Sequence, residues 1–172
     1  MFKKILVPLD GSEMAAKVLP RVAALAKTMQ ARVTLLHVRY REVGEMMGES
    51  SPGTMEAAAA QEAKFCERFL AQAGQDLKAQ DLNVDWVCLE GVPSMEIIGY
   101  AQDHDYDLIA LGTHGKGEIA WYLGGVAKKV AAHATVPVLL FRTFATRPPV
   151  LKQKLQKLAK DAEMYLAWSL PG

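Results

Sequence analysis

The strongest constraint on the fold is an alternation of short apolar runs with longer stretches of helical periodicity. Ile5-Leu6-Val7 is the first run, and Val33, Leu35, Leu36 and Val38 mark a second over residues 32–38. Val84, Trp86 and Cys88 alternate with Asp85, Val87 and Leu89, the pattern of a strand nearer a sheet edge. Leu108-Ile109-Ala110-Leu111 and residues 136–141 complete a set of five. Between the first two runs, Ala15, Leu19, Val22, Ala23 and Ala26 recur at helical spacing over residues 13–29, with Ser12 as N-cap and Glu13 in the first turn. An Ala-rich helix is expected over 56–78, with Ala59, Ala63, Phe65, Phe69 and Leu70 on its core face. Pro93 suits the first turn of a helix continued by Ile97, Ile98 and Ala101, and a last helix is expected over 118–132. Strands joined by helices imply crossover connections and a parallel sheet. Five such strands with right-handed crossovers give an open doubly wound α/β layer flanked by helices.

Composition narrows the class of molecule. Of 172 residues, 51% are apolar and 23% charged, which excludes global disorder. No run approaches the roughly 18–20 apolar residues of a membrane-spanning helix. The opening has only three apolar residues between Lys4 and Pro8, too few for a signal-peptide core, so a soluble cytoplasmic protein is expected. Twenty basic and nineteen acidic side chains give a net charge of +1, which argues against a surface built to grip nucleic acid. Cys66 and Cys88 have no metal-ligand spacing, are too few for a disulfide framework, and read as small core hydrophobes. Residues 41–55, rich in Gly, Ser and Pro, read as a mobile loop.

The charge divides the chain near Pro148-Pro149. Residues 144–172 carry a net +3, leaving −2 on residues 1–143. The expected organisation is therefore an α/β domain over 1–143 and a C-terminal helical extension over 144–172. Leu151, Leu155, Leu158, Ala162 and Tyr165 form an amphipathic seam in that tail. It packs on its own domain or a partner subunit, docks on another protein through residues 148–170, or, least favoured, lies on an anionic membrane surface.

In an open α/β sheet, ligands bind beyond the carboxyl ends of the strands where strand order reverses. Two polar, Gly-containing segments fall at such ends: Pro8-Leu9-Asp10-Gly11-Ser12, and Gly112-Thr113-His114-Gly115-Lys116-Gly117 before a helix. Glycine lets the backbone approach an anion, and a helix start offers N–H groups to it. The same segments read equally as tight structural turns, with Asp10 capping the turn into the first helix. His114 and Lys116 face the same choice between anion contact and solvation. His37 reads as a hydrogen-bonded core residue, and His104 and His133 as surface positions. Neither the P-loop nor the dinucleotide fingerprint is present. No nucleophile–base pair or acidic pair suggests an efficient enzyme.

Phe2-Lys-Lys-Ile-Leu-Val-Pro-Leu-Asp-Gly-Ser12, Val33-Thr-Leu-Leu-His-Val38, Gly91-Val-Pro93, Asp107-Leu-Ile-Ala-Leu-Gly-Thr-His-Gly115, Leu123-Gly-Gly-Val-Ala-Lys-Lys-Val130 and Val136-Pro-Val-Leu-Leu140 together resemble the universal stress protein family over residues 2–142. The resemblance implies a cytoplasmic stress-response protein, usually a homodimer, that binds ATP, AMP or another adenine nucleotide. It places Pro8, Leu9 and Asp10 beside the adenosine, with Asp10 near the ribose or a nucleotide-bound Mg. Val38 would lie against adenine and Leu111 at the pocket floor. Gly112, Gly115, Gly124, Gly125 and Val126 would surround the phosphates, with His114 at their margin. The family's nucleotide-binding pattern, Gly-x2-Gly-x9-Gly-Ser/Thr, ends here in Gly125-Val126, or, if Leu123-Gly-Gly-Val is aligned with the family's Leu-Gly-Ser-Val, in Gly124-Gly125 after only eight residues; in either register the final hydroxyl is missing. Its hydrogen bond to a charged phosphate would be worth about 1.5–3 kcal/mol. The expectation is weakened nucleotide binding in a regulatory homodimer, with slow ATP hydrolysis at most. The alternative is a protein-interaction module acting through its dimer and C-terminal helix without nucleotide.

Overall fold

The computed structural model describes residues 1–40, 52–113, 124–142 and 160. Its sheet contains β1 (Lys4–Pro8), β2 (Arg32–Tyr40), β3 (Val84–Gly91), β4 (Leu108–Gly112) and β5 (Val138–Phe141). All neighbours pair in parallel in the order β3-β2-β1-β4-β5, with β3 and β5 at the edges. The connecting helices are α1 (Glu13–Ala16), α2 (Leu19–Met29), α3 (Pro52–Lys78), α4 (Pro93–Asp103) and α5 (Gly125–His133). The expected doubly wound α/β fold is thus present.

Both sheet faces are covered, which is why the central strands are almost continuously apolar. Ile5, Val7, Val33, Leu35 and Ala110 pack against Val22 and Ala26 of α2 and Leu70 and Leu77 of α3. Leu6, Leu36, Ile109 and Leu111 pack against Ile97 and Ala101 of α4 and Ala127 and Val130 of α5. Strand order leaves β1 in both directions, so the crossovers fall on opposite faces. At the amino end, the Asp107 carboxylate accepts the backbone N–H groups of Lys3 and Lys4 at 2.6 and 2.7 Å and aligns the starts of β1 and β4. Among the described residues, no helix is long and apolar enough to cross a membrane.

Several local expectations change. The helix expected over 13–29 is two helices, because Pro20 in the first turn of α2 supplies no N–H and cannot continue a helix from the preceding turn. The loop expected over 41–55 ends sooner: Pro52 opens α3, and 41–51 lie outside the described residues. Of the expected core face of α3, Leu70 is buried and Phe69 packs against the core, but Phe65 is 52% exposed, and Cys66, Ala73 and Leu77 complete the buried stripe. Cys66 and Cys88 are not separate hydrophobes but a disulfide between α3 and β3, with Cα atoms 6.3 Å apart. They lie 22 residues apart, and only the packing of α3 on the sheet aligns them. Of the helix expected over 118–132, residues 118–123 lie outside the described residues, as does nearly all of the tail. β5 begins at Val138 because Pro137 has no N–H to donate, though its carbonyl accepts the Ile109 N–H at 2.9 Å.

Two glycines test this packing in opposite senses. A Cβ on Gly74 of α3 would lie 2.5 Å from Trp86 Cε3, whereas one on Gly99 of α4 would meet nothing within 4 Å. Gly74→Ala should lower stability, since overpacking costs about 1–3 kcal/mol and the gain in helix propensity recovers at most about 1. Gly99→Ala should raise it by up to about 1 kcal/mol. Urea midpoints of the two variants are expected to move in opposite directions.

Burial raises the Tyr106 pKa above its ordinary 10.0. The unfolded chain then loses this proton first, so the contribution is complete below about pH 10 and disappears as pH climbs through the folded value. Tyr106→Phe should flatten the alkaline limb of a stability–pH curve while leaving its slope at neutral pH unchanged.

Candidate functional site

The strand order reverses between β1 and β4, which pair directly through Ile5–Leu108 and Leu6–Ile109. The segments that follow these strands therefore emerge side by side at the carboxyl edge, where open α/β sheets bind ligands.

The first segment is held from below. The Leu9 N–H donates to the Leu36 carbonyl at 2.8 Å, and the Leu9 side chain is buried in the α2/α3 core. The Leu9 carbonyl accepts from His37 Nδ1 at 2.7 Å, which assigns the proton to that ring nitrogen. Asp10 Oδ1 then accepts the Ser12 N–H at 3.0 Å and the Ser12 hydroxyl at 2.6 Å. Asp10 thus closes the turn into α1. Gly11 sits at φ +80°, and a Cβ there would approach the Phe65 ring to 3.1 Å and His37 to 3.8 Å. His37 meets the edges of Phe65 and Phe69, which stack on each other with centroids 5.9 Å apart. The loop rests on this aromatic support.

The second segment is fixed by one residue. Thr113, 7% exposed, donates its N–H to the Phe141 carbonyl at 2.9 Å and accepts the Gly124 N–H at 2.8 Å. This exchange seats the start of α5 beside the end of β4. A Cβ on Gly124 would lie 3.3 Å from the Thr113 carbonyl, while space beside Gly125 is open. The Lys128 N–H returns to the Gly124 carbonyl at 2.8 Å. The preceding N–H groups, on Gly125, Val126 and Ala127, are those an α-helix leaves without an internal partner. Among the described residues, no side chain caps this end, and no acidic residue lies in its first turn. Its partial positive charge is available to an anion.

The expected site residues therefore fall into four groups. Gly112, Gly124, Gly125 and Val126 are brought together through Thr113, which sequence reasoning did not single out. Pro8, Leu9 and Asp10 lie on the adjacent strand end. The Leu9 side chain is committed to the core, and Asp10 makes the turn contacts read as its alternative role. Val38 and Leu111 pack in the α4/α5 core. His114 and Gly115 lie outside the described residues. Arg39 was also missed: Nη2 bonds Glu90 at 2.7 Å, Nη1 bonds the Ala59 carbonyl at 3.1 Å, and its buried Nε has no partner among the described residues. No described cluster of three His, Cys, Asp or Glu side chains could hold a metal. A helix start that no described side chain caps, with room at Gly125, fits a phosphate-bearing ligand.

Comparison with known proteins gives a consistent result. The family model described as "Universal stress protein family" matches residues 1–142. The universal stress protein YxiE of Bacillus subtilis is 31% identical over 158 residues, covering 83% of this chain and all of the relative. The universal stress protein MJ0531 of Methanocaldococcus jannaschii is 30% identical over 151 residues, covering 83% of each chain. The solved structure of MJ0577, from the same organism, superposes with TM-score 0.74 at 26% identity, over 85% of this chain and 99% of that one. Two more distant structures share the fold: a universal stress protein in complex with cAMP (TM-score 0.59, 21% identity, 83% and 98% covered), and one from Archaeoglobus fulgidus in complex with dAMP (0.57, 20%, 81% and 97%). The chain belongs to the universal stress protein family.

Proposed function

We propose that this protein binds an adenine nucleotide across the carboxyl ends of β1 and β4 and acts as a regulatory homodimer in the stress response. The observation that carries this reading is the Thr113–Gly124 closure, which presents the uncapped start of α5 at the point where strand order reverses. Phosphates lie against Gly112, Gly115 and the α5 amides of Gly125 and Val126, while the base and ribose lie toward Pro8, Asp10 and Val38. The cAMP and dAMP complexes of family members support this ligand class. ATP carries its own Mg, and Asp10 is the acidic group beside it. β5 supports the dimer: its four apolar residues are half-buried at a sheet edge, which invites cover by a second copy. The domain spans 1–143, and residues 144–172 form a helical extension for interaction.

One observation favours a second reading. At the start of α5, neither Gly125 nor the 40% exposed Val126 carries the hydroxyl that the family's nucleotide-binding pattern has there in one register or the other. A chain whose site has lost nucleotide would act through its dimer and C-terminal helix alone.

Mass spectrometry of small molecules released from gently purified protein separates the two readings. Adenine nucleotide is expected, together with titration heat for ATP or AMP. An empty protein with no heat at millimolar ATP and Mg sinks the first reading and favours the second. Gly115→Val should weaken binding at least about tenfold, the scale of 1.4 kcal/mol. Its urea midpoint should be unchanged, and unaltered affinity refutes the phosphate placement.

Asp10 is tested by two substitutions. Asp10→Ala removes the acceptor of both Ser12 hydrogen bonds and should cost about 1 kcal/mol of stability. Asp10→Asn keeps an acceptor but loses the charge. It should retain the stability and AMP affinity while losing the Mg-dependence of ATP binding. Equal Mg-dependence in wild type and Asp10→Asn rules Asp10 out as the metal-facing group.

A further inference from the structure

We propose that Cys66 and Cys88 form a thiol–disulfide switch whose state sets the order of the loop at residues 8–12, and through that loop the affinity for nucleotide. The effect on affinity rests on the nucleotide reading above; the effect on the loop does not.

Among the described side chains of α3, Cys66 is the N-terminal-most core anchor. From Cys66 toward the C-terminus, the helix is buried at Leu70, Ala73 and Leu77. Toward the N-terminus, none of residues 59–65 is buried, and the Arg39 guanidinium on the Ala59 carbonyl is a polar tie. Covalent attachment at Cys66 thus holds a stretch that apolar packing does not.

Both ends of the bridge adjoin the support of the loop. Phe65 precedes Cys66 and lies against Gly11, where a Cβ would approach its ring to 3.1 Å. On the strand side, Cys88 is the register partner of His37, whose Nδ1–H holds the Leu9 carbonyl. Phe65, Phe69 and His37 form one aromatic group between disulfide and loop. Cutting the bridge frees Phe65 to leave Gly11, so the loop loses one wall. A loop already ordered before binding costs less to immobilise around a ligand, so the bridged form binds more tightly.

The chemistry needs a low-molecular-weight thiol such as glutathione, and its disulfide for the return. Cys66 is fully buried, whereas Cys88 is partly exposed on the edge strand. The thiolate attacks the Cys88 sulfur, the S–S bond breaks, and Cys66 leaves as a thiolate that takes a proton from solvent. A second thiolate attacks the external sulfur of the mixed disulfide, releasing the oxidised small thiol and Cys88, which is protonated in turn. Two electrons enter the protein and two protons follow them.

The test compares full-length protein equilibrated in oxidised and in reduced glutathione, with the bridge verified by intact mass after alkylation. Hydrogen exchange is read by peptide, and affinity for AMP by calorimetry. Reduction should speed exchange at the loop amides 9–12 and in α3 before Cys66 while leaving β4 unchanged, and should weaken AMP binding about fivefold or more. Cys88→Ser should match the reduced protein and ignore glutathione. Phe65→Ala should keep the bridge yet show the mobile loop in both states. Failure of the pair to bridge in oxidised glutathione, or loop exchange indifferent to its state, overturns the switch. Altered exchange with equal AMP affinity overturns its regulatory role. Altered exchange with no AMP bound in either state upholds the effect on the loop and sinks the nucleotide reading.

Discussion

The pairing of β1 with β4 is the constraint from which the other features follow. β2 and β3 are added on one side of β1, and β4 and β5 on the other. Right-handed crossovers then place α2 and α3 on one face and α4 and α5 on the opposite one. Each face has its own core, and β1 contributes to both with alternating side chains: Ile5 and Val7 to one, Leu6 to the other. A cleft is expected at the carboxyl edge because the helices that follow β1 and β4 pack on different faces. The Asp107 carboxylate, holding two amides at the amino end, keeps the central strands aligned at the end remote from that cleft.

The two walls of the cleft are built by different physics. The wall after β1 depends on side chains: Leu9 inserted in the core, His37 on its carbonyl, and Asp10 folded back on Ser12. Among the described residues, the wall after β4 is tied through backbone, with Thr113 exchanging hydrogen bonds with Phe141 and Gly124. A backbone cradle recognises charge and size, while side chains give discrimination. Contacts made by such a backbone cradle would not depend on the identity of any single side chain.

Much of the fold was legible because burial on both sheet faces writes itself as uninterrupted apolar runs. The glycine segments were legible as pieces, and the family pattern joined them. What escaped depended on neighbours distant in the chain. On α3, Phe65 and Phe69 make as good a helical stripe as Cys66, Leu70, Ala73 and Leu77, one residue around the helix; only docking on β2 and β3 selects between them. The Cys66–Cys88 bond follows from that same choice of face. Pro20 was visible, yet the apolar period runs through it and masked the break it imposes. Thr113 acquires meaning only once β5 lies beside β4.

The position of Thr113 has a mechanical consequence. Its N–H is tied to the outermost strand and its carbonyl to the first amide before α5, so a single residue stands between the sheet margin and the helix start. A force that slides β5 along β4 is delivered to that helix within one residue, and it also shifts the β5 side chains that pack on both cores. A companion chain gripping this margin would therefore hold one end of a short lever whose other end is the anion-facing turn.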